Sequence, residues 1–284
     1  MKLPDCSNMM RVGQLRHIQS VCERAEYRNP DNLVRHFLTF AQRQHCLMRA
    51  ALKISGLRAN PFYNYIIART KYYDELFMRA VFDNTRVIVN IGCGSDTRSY
   101  RFGRVLKQMG VRVLECDQPD AIVKKQAVAR KNWPVDHVDY LSVNLDRLCW
   151  DELKRWLDGH DAGCVFVLME GVSPYIGKDA FGQFLDFLAD RLPSGSRLAY
   201  DYKLQGVDDE FGGDPQGAAL FRLPENRDVV AGYHRAHGFR LDRMELSSEL
   251  AMRMLPALPE RSALLFREDC LLDLAADKKA AVGE

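Results

Sequence analysis

The chain has 284 residues, 47% of them hydrophobic, with 40 Lys and Arg against 38 Asp and Glu for a net charge of +2. That length supports one large domain or two small ones, and the near-neutral balance gives no basic stripe of the kind nucleic acid would require. No uncharged stretch approaches the ~20 residues needed to span a bilayer, and MKLPDCSNMMRVGQ has no apolar core, so no signal peptide is expected.

In chain order, residues 9–27 read as a polar helix. Asn29-Pro30-Asp31 then breaks the chain. Asp31 is placed to cap a helix running through VRHFLTFAQRQHCLMRAALKI to about Gly56. Pro61 is placed to open the next helix, FYNYIIARTKYYDELFMRAVF, whose apolar residues recur at helical spacing. Tyr63, Tyr65, Tyr72 and Tyr73 on it fit either an interface or, more commonly, the core.

After Phe82 the pattern changes. Arg86–Ile91, Arg112–Asp117, His137–Leu145, Cys164–Glu170 and Arg197–Tyr202 read as strands, and 98–109, 119–131, 150–158 and 178–191 as the helices between them. Apolar strands alternating with helices imply a parallel sheet covered on both faces. A helix near 225–237 follows, then Phe239–Leu246 and Ser262–Leu272, which could form a terminal hairpin. Phe211–Pro215 reads as a surface loop. The eight cysteines include no CxxC pair. Cys93, Cys116 and Cys164 fall in runs that read as buried strands. Scattered thiols suit a reducing cytoplasm, and no Cys/His cluster has zinc-ligand spacing.

The chemistry concentrates at strand ends. An α/β sheet binds ligands at the carboxyl ends of its strands. Gly92 and Gly94 in VIVNIGCGSDTRSY give the backbone leaving the first strand freedom to approach a ligand, or simply make a tight turn. The third glycine of a dinucleotide fingerprint is absent, which argues against NAD. Asp117 ends the second strand, 25 residues after Gly92. A carboxylate there accepts ribose hydroxyls or caps the helix that Pro119 opens. Glu115 offers a second acid nearby. Glu170 directly follows FVLM, where a lone buried carboxylate would be costly and a cationic ligand at the strand end would remove the cost.

The blocks ARTKYYDEL, NIGCGSDTRSYRF, LECDQPDAIVKKQ, VNLDRLCWDEL and VLMEGVSPYI, spread over about residues 60–180, resemble the leucine carboxyl methyltransferases and related bacterial class I O-methyltransferases. The resemblance implies a Rossmann-like fold, with a mostly parallel seven-stranded sheet in residues 83–284 and an N-terminal helical cap over residues 1–82. It implies S-adenosylmethionine as methyl donor, S-adenosylhomocysteine as product, and no metal.

It also implies roles. Arg69 would pair with the donor's carboxylate, as a guanidinium fork suits. Gly92, Cys93 and Gly94 would line the methionine and ribose, and Asp117 with Gln118 would hold the ribose. Asn144 and Leu145 would flank the adenine, with Asp146 an alternative if the register shifts by two. Glu170 would face the donor's amino group or shape the transfer site, and Tyr175 joins it as a catalytic candidate. Cys93 reads as structural.

The reaction implied is in-line attack by a substrate oxygen on an activated methyl, so the protein chiefly orients. A carboxylate acceptor, with a pKa near ~4, needs no base. A hydroxyl would draw on one, and His36, His45 and Tyr175 are candidates by position. The helices before Phe82 are expected to close over the donor, and residues 204–224 to line the acceptor pocket. The acceptor is a small molecule, free or carrier-bound. A protein C-terminal carboxylate and a non-catalytic nucleotide-binding module are the alternatives. Oligomeric state is not legible.

Overall fold

The computed structural model describes residues 6–145, 150–160, 163–206, 220–256 and 264–277. It opens with helix α1 (Cys6–Cys22), followed by α2 (Phe40–Arg58) and α3 (Pro61–Phe82). Asp31 does not start a long helix. Its carboxylate caps a single 3-10 turn, Val34–Phe37, by accepting from the Val34 N–H at 3.0 Å. The chain then extends at Leu38, and Thr39 restarts it with a reciprocal cap, its hydroxyl accepting from Gln42 N–H while the Gln42 side chain accepts from Thr39 N–H. Pro61 opens α3 as expected, with the Asn60 side chain accepting from Phe62 N–H. Tyr63, Tyr65, Tyr72 and Tyr73 are all buried in the core.

From residue 85 the chain alternates. The elements are β1 (Thr85–Ile91), α4 (Arg98–Arg101), α5 (Gly103–Met109), β2 (Arg112–Asp117), α6 (Pro119–Asn132), β3 (Val138–Ser142), α7 (Asp151–Asp158), β4 (Cys164–Met169), α8 (Lys178–Arg191) and β5 (Arg197–Lys203). Then come α9 (Arg227–Ala236), β6 (Phe239–Leu246), α10 (Ser247–Met254) and β7 (Asp269–Ala276). The seven strands lie in the order β3-β2-β1-β4-β5-β7-β6. Pairs from β3 to β5 are parallel, and β7 runs antiparallel to both neighbours.

Three boundaries differ from the sequence reading. The third strand is shorter than 137–145, stopping at Ser142 before the chain turns toward the cavity described below. The 98–109 helix is two pieces, interrupted at Phe102. The terminal pair is antiparallel but is no tight hairpin, because α10 lies between its strands and the second runs over Asp269–Ala276 rather than Ser262–Leu272. The expected loop at Phe211–Pro215 lies outside the described residues.

Successive residues of the apolar strands point to opposite faces, which splits the core in two. Ile88, Phe166, Leu168, Ala199 and Leu271 pack toward α3 and α10 with Tyr65, Tyr73 and Phe77. Val87, Val89, Val165, Val167 and Leu198 pack toward α8 and α9 with Phe181 and Phe184. Cys93 and Cys116 are buried, while Cys164, at the start of β4, is only half-buried. No described helix is long and apolar enough to cross a membrane.

Candidate active site

A cavity of about 750 Å3 lies at the carboxyl ends of the strands, within the ~300–1,000 Å3 usual for small-molecule sites. Its floor begins where β1 ends. Gly92 has φ +67°, and a Cβ there would lie 2.2 Å from Val172 Cγ2 in the β4 loop. Only glycine lets those two loops approach so closely. Cys93 N–H continues the β1–β2 pairing by donating to Cys116 O at 3.0 Å. Burial pushes its thiol well up, so it is a packing residue rather than a nucleophile.

Asp117, at the tip of β2, holds the loop from the side. One oxygen accepts from Gly94 N–H and the other from Gln118 N–H, each at 2.7 Å. Burial raises its carboxyl, and these two N–H groups only partly counter that. Asp117 is therefore a loop clamp facing the cavity, and the residue capping α6 is Gln118. Glu115, two residues back, is fully enclosed by Lys125 Nζ (3.2 Å) and the hydroxyls of Ser99 and Tyr100. It does not reach the cavity. Asn144 and Leu145 line the wall beyond β3, and Asp146 lies outside the described residues.

Arg69 reaches the cavity from α3. Its Nε meets Glu170 Oε1 and its Nη1 meets Asp201 Oδ2, both at 3.1 Å. Its Nη2 makes no hydrogen bond among the described residues and stays available to a ligand carboxylate. Glu170 sits just past β4, with its second oxygen 2.8 Å from Arg98 Nη1. Burial alone would raise its carboxyl, but the Arg98 and Arg69 guanidiniums outweigh that and hold it below the usual range. Arg98 is completely buried and also pairs with Asp96 (2.7 Å) and Asp74 (2.8 Å). Such a network is costly to break at any one member.

The helices before β1 form the opposite wall. Leu15 and Arg16 of α1, Arg49 and Leu57 of α2, and Phe62 and Tyr63 of α3 line it. Arg16 ties α1 to the glycine loop through Ser95 Oγ at 2.6 Å and to Asp31 at 3.0 Å. Past Glu170, the cavity continues along Tyr175 to Asp201, Lys203 and Asp269 on β5 and β7.

Arg69, Gly92, Cys93, Gly94, Asp117, Gln118, Asn144, Leu145, Glu170 and Tyr175 thus line one cavity. The two histidine candidates do not join it. His36 packs edge-on against Trp133 at 5.0 Å and His45 is solvent-exposed on α2. The described part of segment 204–224 also lies off the cavity wall, and residues 207–219 are outside the described residues. Arg16, Asp96, Arg98, Asp201, Lys203 and Asp269 were missed. Asp201 carried a usable signal, being an acid within the apolar strand LAYDY that demands a partner. Among the described residues, six carboxylates line the cavity against four basic side chains, so a cationic ligand is favoured. No described group of His, Cys, Asp and Glu is arranged to hold a metal ion.

The sequence model of a family described as leucine carboxyl methyltransferase matches residues 21–189. A Streptomyces coelicolor protein, provisionally named an S-adenosyl-L-methionine-dependent methyltransferase, is 30% identical over 178 residues, which is 61% of this chain and 62% of that one. A Streptomyces avermitilis protein with the same provisional name is 28% identical over 69% of this chain and 70% of its own. The match therefore spans about three fifths of the first relative's length. Among solved structures, a Galdieria sulphuraria protein provisionally described as a sarcosine dimethylglycine methyltransferase superposes with a TM-score of 0.50 at 12% identity, over 76% of this chain and 89% of that one. That likeness is one of fold.

Proposed function

The chain belongs to the leucine carboxyl methyltransferase family, and from that premise we propose that it is an S-adenosylmethionine-dependent O-methyltransferase acting on a small molecule. The observation that carries this reading is the shared cavity. The Gly92–Gly94 backbone, the Asp117 carboxylate and the Arg69 guanidinium all face it, although they come from β1, β2 and α3.

The residues fit the donor part by part. The close approach of Val172 to Gly92 holds the β4 loop against the glycine loop that floors the cavity. Asp117 suits a pair of ribose hydroxyls, Asn144 and Leu145 an adenine, and Arg69 Nη2 a carboxylate. Glu170, held ionised by two guanidiniums, suits the ammonium. The donor's positive sulfur supplies the activated methyl. The protein's share is orientation, electrostatic complementarity from the excess of carboxylates, and exclusion of water by α1 to α3.

The test is formation of S-adenosylhomocysteine when the protein is incubated with donor and a panel of small hydroxyl and carboxyl compounds, followed by mass spectrometry. Product that depends on the acceptor supports the reading. Label transferred only to the C-terminus of a protein would replace the small-molecule acceptor with a protein. Donor binding with no product across the panel would favour a non-catalytic module.

A further inference from the structure

The donor, as placed above, uses the tips of β1 to β3 together with Arg69 and Glu170. It leaves unused the wall that the helices before β1 contribute. Leu15 of α1, Leu57 of α2, and Phe62 and Tyr63 of α3 give that wall an apolar surface. Arg49 of α2 stands on the same wall and is a solvent-exposed residue. A side chain that lines the cavity and is also exposed lies where the cavity meets solvent.

The four basic side chains around the cavity differ in what holds them. Arg16 is paired with Asp31 at 3.0 Å, and Arg69 with Glu170 and Asp201 at 3.1 Å. Lys203 is paired with Glu268 at 2.6 Å and with Asp269 at 3.4 Å. Arg49 is the one with no acid partner among the described residues. Its surroundings share the imbalance. The helix α2 carries Arg43, Arg49, Lys53 and Arg58 and no Asp or Glu. Residues 6–58 hold nine Lys and Arg against three Asp and Glu, although the whole chain is nearly balanced. None of the cavity's acids comes from the helices before β1. The cavity is therefore bipolar, acidic at the strand ends and basic at its helical mouth. Such a mouth draws anions in and raises their local concentration.

We propose that Arg49 is a specificity residue for the acceptor, holding a carboxylate at the acceptor's trailing end. The proposal rests on the methyltransferase reading above and narrows its acceptor. The molecule is elongated, with the reacting oxygen at one end, an apolar body along Leu15, Leu57 and Phe62, and a negative charge at the other end. The methyl to be transferred lies inside, beside Arg69 and Glu170, whose side chains are only 9% and 13% exposed. The reacting oxygen enters first, and the group beside Arg49 stays at the mouth. A guanidinium there makes charge-assisted hydrogen bonds to a carboxylate. Because Arg49 is solvated, it costs little to leave it unpaired in the free protein, whereas the cations deeper in the cavity all have acids beside them. A neutral tail would forgo the attraction, and an ammonium would be repelled.

Arg49 takes no part in the chemical step. It holds the acceptor equally in the ground state and the transition state, so its loss raises KM and leaves kcat nearly unchanged. The contact is made at the mouth, in water, so its contribution is modest and falls with added salt.

The test compares wild type with Arg49→Gln, Arg49→Lys and Arg49→Glu, using S-adenosylmethionine and matched probes. One series is the 4-hydroxyphenylalkanoates from acetate to hexanoate, with the corresponding amides and amines. The other is the straight-chain dicarboxylates from adipate to sebacate, with their monoamides. Formation of S-adenosylhomocysteine is measured, and calorimetry with that product monitors the donor site of each variant. Wild type is expected to use the anionic member of a pair about 10-fold more efficiently in kcat/KM than the amide. Arg49→Gln should erase that preference through KM, Arg49→Lys should keep part of it, and Arg49→Glu should shift it toward the amines. Product affinity should match wild type in all three variants. Added salt should narrow the preference of wild type and leave Arg49→Gln unaffected. No preference for the anion in wild type, or the same preference in Arg49→Gln, overturns the proposal while leaving the methyltransferase intact. Loss of product affinity in Arg49→Gln overturns it by making Arg49 a donor contact. Product binding by wild type with no turnover of any probe overturns the proposed acceptor. Failure of wild type to bind the product overturns the methyltransferase reading itself.

Discussion

Arg69 and Glu170, 101 positions apart, meet through Nε and Oε1 at 3.1 Å, so one contact joins the N-terminal helices to the tip of β4. The same guanidinium reaches Asp201 on β5. Removing it leaves buried Asp201 with no cation and only the Gly171 N–H, and leaves Glu170 with Arg98 alone. Arg69→Ala is expected to cost about 3–5 kcal/mol, the usual penalty for breaking a buried pair from one side. Arg69→Ala combined with Glu170→Gln and Asp201→Asn should recover much of it, because no charge is then left unpaired. Urea titrations of the single and triple variants check this. Equal losses in both would show that the network contributes through packing rather than charge.

Gly92→Ala should be among the most damaging single-methyl changes in the chain. The new Cβ would stand 2.2 Å from Val172 Cγ2 on a backbone at φ +67°, a conformation that costs an alanine about 1–2 kcal/mol before any clash. Adding Val172→Ala removes the clash but leaves the backbone strain. The double variant is expected to melt between wild type and Gly92→Ala. A Gly92→Ala protein as stable as wild type, with product binding intact, would contradict the close approach of the two loops.

Residue pattern alone predicted most of the fold, because apolar strands punctuated by helices have few ways to be covered on both sides. The β1, β2, β4 and β5 ends lie within a residue of expectation. The sequence failed where tertiary contacts override local signals. Asp31 looks like an ordinary helix cap, but Arg16 and Thr97 draw it into the interior and the helix breaks at Leu38. The Asp269 strand begins seven residues later than its apolar run suggested, since Phe266 stacks on Tyr65 and Leu265 joins the same core instead of entering the sheet. In the site, glycines and strand-end acids were legible because few residues do what they do. Arg98 was not, since an arginine in a short helix after a glycine loop gives no sign that it will be fully buried among Asp74, Asp96 and Glu170.

Acid stability should depend on His234. Its ring is buried, Nδ1–H donates to Val230 O at 2.6 Å, and Nε2 is left to accept from Tyr200 OH. Burial lowers its pKa to about 4, from 6.5 when unfolded. The folded state therefore prefers the neutral ring. The resulting stability is complete above pH 6.5 and is lost as pH falls toward 4, by about 3 kcal/mol across that window. His234→Gln should be less stable than wild type at pH 7.5 but lose less between pH 7.5 and 4.5. Denaturation midpoints at the two pH values check this, and parallel losses in both proteins would assign the acid sensitivity to other groups.

In the proposed function Arg69 and Asp117 grip opposite ends of one amino-acid nucleoside. Isothermal calorimetry with S-adenosylhomocysteine tests it most directly, using wild type, Arg69→Ala and Asp117→Ala at a temperature where circular dichroism finds all three folded. Wild type should bind one equivalent, and each variant should bind at least 10-fold more weakly, since each loses a charge-assisted contact. Affinity that is unchanged in both folded variants, or no binding by wild type, would contradict it.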